Sequence, residues 1–200
     1  MEANHTIDSL NKLILAKSTT YEYGADHNLI SLTSNTYQST AVLTDGLTDS
    51  YTFTWYWDSV NGYTIGGTHA HPDGSAPSPE DVFDMVENLY QNQQLATASA
   101  SDKNFYKNNV SQTIVTTNGT YVVTVADWSA LENLYSTYTS NPNAFDQSYK
   151  TDAANNNSTE YALLNLFGNS INVYKAPVGS DSYTPIAINS SNKVTIVTCP

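Results

Sequence analysis

Apolar residues recur at two different periods along this chain, and the switches between them mark out its elements. Ile7, Leu10, Leu13 and Ile14 fall at the spacing of one helical face, which predicts a helix over 6–17. Residues 20–33 alternate as a strand, a turn near Gly24 to Asn28, and a second strand. Strands are predicted over 37–43 and over the aromatic run 51–57, YTFTWYW. Asn61-Gly62 is a turn signal, after which GYTIGGTHAHP reads as a strand. From Ser78 to about Gln94 the period returns to that of a helix, with Val82, Met85, Val86 and Leu89 as its apolar stripe. Ser78 suits the N-cap, Pro79 the first helical position, and Asp81 the third, as in a capping box. A hairpin over 112–127 turns at Asn118-Gly119. A helix is predicted over 129–138, a loop over the Asn-, Ser- and Thr-rich stretch 139–158, and a helix over 159–169 that ends at Gly168. Three short strands, 171–177, 184–188 and 193–198, close the chain.

Helices and strands are mixed without a regular βαβ repeat. This predicts an α+β fold with a mixed, mostly antiparallel central sheet flanked by helices. A length of 200 residues, 40% of them hydrophobic, is that of a single domain with a real core.

Charge narrows the function classes. The chain carries seven basic residues, all Lys, against 19 acidic ones, for a formal charge of −12. Nucleic acid and anionic membrane surfaces both call for clustered Lys or Arg, so neither is expected as a partner. No apolar run is long enough to span a membrane. Cys199 is the single cysteine and lies at the tail, so neither an internal disulfide nor a cysteine-ligated zinc site is expected. That also disfavours a deaminase-type zinc hydrolase, whose sites use cysteine ligands. The N-terminus lacks the layout of a signal peptide, yet the amide- and hydroxyl-rich, lysine-poor composition is that expected of an extracytoplasmic protein.

The candidate chemistry sits at Thr68-His69-Ala70-His71-Pro72, followed by Ser78-Pro79-Glu80-Asp81. The chain has four histidines, and two of them stand at i and i+2 of a predicted strand, on one face. An aspartate follows ten residues after His71, at a predicted helix start. Two His and one Asp with a fourth position for water make up a catalytic zinc site, here His69, His71 and Asp81. His5 and His27 read as ordinary polar residues, with His27 close enough in sequence to Glu22 to be watched as an extra contact. Trp55, Trp57 and Tyr63 read as core or sheet-face aromatics, and Asp73 as the turn residue of an Asp-Gly pair.

The order His-x-His-Pro, short loop, Ser-x-x-Asp resembles the JAMM motif of the JAB/MPN metalloprotease superfamily. That family also places a glutamate on an earlier strand, near a glycine. Glu22 in Tyr21-Glu22-Tyr23-Gly24 fits, 47 positions (69 − 22) before His69. The resemblance covers about residues 6–127; residues 128–200 form a helix and strand extension outside it. It implies a three-layer, cytidine-deaminase-like arrangement and a Zn²⁺ ion on His69, His71 and Asp81. It further implies Glu22 as general base and Ser78 as oxyanion donor, in hydrolysis of a peptide or isopeptide bond of a peptide or protein substrate. The alternative is a JAB-fold binding or structural module without activity. Six residues separate His71 from Ser78 where the family usually has seven, so the reach of Asp81 is the point on which this reading turns.

Overall fold

The computed structural model describes residues 5–197; the predicted end of the last strand and Cys199 lie outside the described residues, as do the side chains of His5 and Ile7. One sheet organises the protein. Its strands are β1 (Gly24–Leu29), β2 (Tyr37–Ser39), β3 (Trp57–Asp58), β4 (Gly62–His71), β5 (Ser111–Thr116), β6 (Gly119–Val125), β7 (Ile171–Ala176), β8 (Thr184–Ile188) and β9 (Val194–Ile196). They run in the order β2-β1-β4-β5-β6-β7-β8-β9, with β3 paired to β4. Only β4 and β5 are parallel; the other pairs are antiparallel. The helices are α1 (His5–Lys17), α2 (Pro79–Gln91), α3 (Gln93–Ala96), α4 (Ala100–Asn109), α5 (Trp128–Ser140), α6 (Pro142–Asn156) and α7 (Thr159–Phe167). The fold is α+β, as the mixed periods predicted, and no described helix is long and apolar enough to cross a membrane.

The two faces of the sheet carry unequal cores. On one face Ile14 of α1 meets Ala25, Ala70 and Val115. On the other, Val82, Phe83, Met85, Val86 and Leu89 of α2 pack with Ile114, Tyr121 and Val123 of the hairpin and with Leu163 and Phe167 of α7. Leu13, predicted on the buried stripe of α1, is 46% exposed. Because side chains alternate along β4, Ala70 faces α1 while His69 and His71 face α2. The β4-to-β5 connection runs through α2, α3 and α4, as a parallel pair requires.

Four expectations need correction. Residues 24–28 are not a turn but most of β1. Gly24 serves close approach instead: a Cβ there would lie 2.5 Å from the Tyr51 ring and 2.8 Å from the Thr68 carbonyl. Residues 51–56 form no ladder. Their backbone runs extended, with the amides of Thr52, Thr54 and Tyr56 donating to Asp45 Oδ2, Asp26 Oδ2 and Thr64 Oγ1. The predicted strand over 37–43 shortens to β2 plus a single bridge from Leu43 to Gly24. The predicted loop 139–158 holds α6, capped by Asn141 and opened by Pro142, and ended by Asn157 in the left-handed region at φ 47°.

Candidate metal centre

The site is built where β4 ends and α2 begins. Ser78 is the N-cap of α2, its Oγ accepting from the Asp81 amide at 3.3 Å. In return Asp81 Oδ2 accepts from the Ser78 amide at 2.6 Å, closing a capping box. This reciprocal pair fixes the Asp81 carboxylate against the histidines. Asp81 Oδ1 lies 3.0 Å from His69 Nε2 and Oδ2 lies 3.4 Å from His71 Nε2. The two Nε2 atoms are 3.1 Å apart. A tetrahedral ion with ligands at about 2.0–2.1 Å sets its donor atoms roughly 3.3 Å apart. The three separations bracket that value.

The short loop between the histidines and α2 therefore does not pull Asp81 away. Gly74 takes up the turn at φ 80°. Its carbonyl accepts from Asn118 Nδ2 at 2.9 Å, and the Ala76 amide donates to Thr159 Oγ1 at 3.0 Å. Asp73 is the turn residue expected, its Oδ1 accepting from the Ser75 amide at 2.9 Å.

Glu22 approaches the same Nε2 side of the rings from a different segment. It lies just ahead of β1 rather than within a strand, its amide donating to the Leu47 carbonyl at 2.9 Å. Its Oε2 is 4.0 Å from His69 Nε2, and donor atoms of Glu22, His69 and His71 all fall within 4.8 Å of one another. All three are buried, so this group can hold a metal ion. The carboxylates of Glu22 and Asp81 thus share the same two imidazoles.

The rings are held by what surrounds them. Phe53 stands edge-on to His69 with centroids 5.5 Å apart, and Tyr51 lies parallel to His69 at 6.5 Å. Phe53 can sit there because residue 67 is glycine: a Cβ would lie 2.1 Å from its ring. Ser75 Oγ lies 3.0 Å from His71 Nδ1 and so can orient that ring from behind. His69 Nδ1 is buried with no partner.

The ionisable groups at this point are tied together electrostatically. Burial pushes Glu22 up to about 8; His71 pulls it back, while Asp81, Asp49 and Asp73 add to the rise. Burial works against charge on His71, but Asp81, and behind it Glu22 and Asp73, outweigh burial and raise the ring to about 9. Burial would also raise Asp81, yet His69 and His71 hold it well below the ordinary carboxylate range. Two imidazoles with Glu22 beside them form a donor set that can hold a metal ion, and the Asp81 carboxylate lies against the same two nitrogens.

His27 takes no part. Its Nε2 lies 2.8 Å from Thr68 Oγ1 and its Nδ1 2.9 Å from Ser39 Oγ, on the α1 side of the sheet, and burial lowers its pKa to about 4. Trp57 and Tyr63 pack as core aromatics, as expected, whereas Trp55 joins Tyr51 and Phe53 in lining a cleft of about 630 Å³ that opens at the centre. Glu22, His71, Ser78 and Asp81 line the same cleft. Two features of the cleft are only faintly marked in the sequence. The alternate aromatics at 51, 53 and 55 signalled an extended segment but not a cleft wall. Glu80, Asp84 and Glu87 form an acidic row on α2 whose signal in the sequence is their helical spacing. No family model, curated protein or solved structure matches this chain.

Proposed function

We propose that this protein is a zinc-dependent hydrolase of peptide or isopeptide bonds, as the JAMM-like order of its motif residues suggests. One observation carries the reading: Nε2 of His69, Nε2 of His71 and the Asp81 carboxylate converge at 3.0–3.4 Å beside a buried glutamate. His69, His71 and Asp81 would hold the ion; two nitrogens and one oxygen suit zinc, and three protein donors are the complement of a catalytic rather than a structural site. Bound there, Zn²⁺ would polarise the scissile carbonyl and lower the pKa of water to about 7. Glu22 would take the proton of the attacking water on its carboxylate and pass it to the leaving amine. Ser78 would donate its hydroxyl proton to the developing oxyanion, since its Oγ already accepts from the Asp81 amide and its O–H remains available.

The test is hydrolysis of quenched-fluorescence peptides and of lysine-isopeptide conjugates by zinc-loaded protein. Wild type should cut at least one class, and Glu22→Gln should cut neither while retaining its metal. A Glu22→Gln protein as active as wild type would remove Glu22 from the mechanism. A zinc-loaded wild type that cuts neither class would remove the hydrolase reading itself.

A further inference from the structure

We propose that the cleft leading from the metal centre along α2 binds a basic side chain, lysine or arginine, of an extended substrate, with its stem against Tyr51, Phe53 and Trp55 and its charged end at Asp84 and Glu87. This rests on the reading of the centre as a peptide or isopeptide hydrolase.

The two walls of the cleft differ in kind. One is the extended segment with its three aromatic rings. The other is the face of α2 that carries Asp84, Glu87 and Asn88, continuing from the metal-side Asp81. No lysine lines the cleft. The lysines nearest in kind are engaged elsewhere, Lys107 with Glu132 and Lys175 with Glu160. Asp84 makes no hydrogen bond or ion pair among the described residues, and its charged neighbours Asp81, Glu87 and Glu80 are all acids. Burial and then those like charges push its carboxyl well above the ordinary range, the mark of a group short of a counter-charge.

Asn88 gives an independent sign. It lies one turn beyond Asp84 in the same lining and is 4% exposed. Its amide donates to the Tyr106 hydroxyl, whose own proton goes to the Met85 carbonyl. That leaves Asn88 Oδ1 buried without a partner. An unpaired buried acceptor is costly, and this one belongs to a residue of the cleft lining, one turn from Asp84. A neutral donor would satisfy Asn88 but not the carboxylates. A bare metal ion would make no use of the aromatic wall. Only a long side chain with an apolar stem and a cationic end matches both walls.

The experiment is fluorescence polarisation on the Glu22→Gln protein, which binds without cutting. Two short labelled peptides are compared, identical except for lysine or glutamine at alternate positions. At low salt the lysine peptide should bind about ten-fold tighter, an advantage that shrinks as salt is added. Asp84→Asn/Glu87→Gln should bring the two peptides to within about two-fold, because a half-buried ion pair is lost on each. Asp102→Asn/Asp181→Asn, the same charge change away from the cleft, should keep the preference. Equal binding of both peptides, or equal loss in the two double variants, overturns the proposal. Because binding is read on a variant that does not cut, failure here leaves the hydrolase reading standing, and absence of hydrolysis in wild type leaves this measurement valid.

Discussion

Asp81 carries two duties through its two oxygens. Oδ2 closes the capping box of α2 at 2.6 Å, and Oδ1 stands 3.0 Å from His69 Nε2. A ligand fixed by a helix start loses little freedom on binding, which is how a short motif yields a rigid site. Ser78, the other half of the box, separates structure from chemistry. Ser78→Ala should cost about 1 kcal/mol of stability through the lost cap, whereas Ser78→Gly should cost only a few tenths. Both should slow turnover by about 10²–10³ if the hydroxyl serves the oxyanion. Melting temperature measured beside activity decides it; a fully active Ser78→Gly would leave Ser78 as a cap alone. Asp26 makes a different claim. It is 2% exposed, with Oδ1 unpartnered, and burial raises it to about 7 against the helping Thr54 amide. A carboxyl raised in the fold contributes stability below its unfolded value near 3.8 and loses it as pH climbs toward 7. The loss amounts to at most about 4 kcal/mol. Denaturant titrations from pH 4 to 8 should show a shallower fall in Asp26→Asn than in wild type, the part that remains coming from other raised carboxyls such as Glu22; an unchanged slope would clear Asp26 of the role. His69, His71 and Asp81 were legible from spacing alone, since alternation and a helix cap both project from sequence. Glu22 was legible only through its resemblance to a family pattern, because its partners lie some 47 positions away. Ser75 and Asn88 were not legible, since what each faces is set by tertiary packing.

At the level of elements, local signals held where the chain supplies its own hydrogen bonds and failed where packing supplies them. The capped α2 and the hairpin formed near their predicted places, but the hairpin turns one residue early, at Thr117-Asn118 with Gly119 already paired to Thr116, its second strand ends at Val125, and α2 ends at Gln91. The stretch 51–56 has strand-like composition, but its amides are taken by side chains and it becomes a strap across the centre. Residues 142–156 have polar composition, but Phe145 and Tyr149 give the helix a packed side: Phe145 sits against Phe83, and the Tyr149 hydroxyl donates to the Pro77 carbonyl at 3.3 Å. Tertiary contacts override weak propensity in both cases. The strap can be tested through its seat. Gly67→Ala would drive a methyl to 2.1 Å from the Phe53 ring and 2.9 Å from the Ala25 carbonyl. It should cost about 1–3 kcal/mol and weaken zinc binding by releasing Phe53 from His69. Unchanged melting and unchanged zinc affinity would show that the strap does not brace the centre.

At the scale of the whole molecule, residues 128–197 are part of the same body as the motif-bearing segment. β7 continues the sheet at β6, and Phe145 and Phe167 close around Phe83 of α2. Thr159 and Tyr149 also hold the loop that sets the reach of Asp81. A chain ended at Asp127 should therefore lose cooperative unfolding and zinc binding together, as read by calorimetry and by a collapsed amide proton spectrum; a well-dispersed spectrum with zinc bound would show that the extension is dispensable. The central claim, that this fold closes a metal centre from His69, His71 and Asp81, is tested most directly by zinc titration in a calorimeter with metal content measured on the same samples. Wild type and Glu22→Gln should each take up one equivalent. His69→Ala, His71→Ala and Asp81→Ala should each lose it while keeping a folded spectrum. Uptake by the three ligand variants equal to that of wild type, or no uptake by wild type, would contradict it.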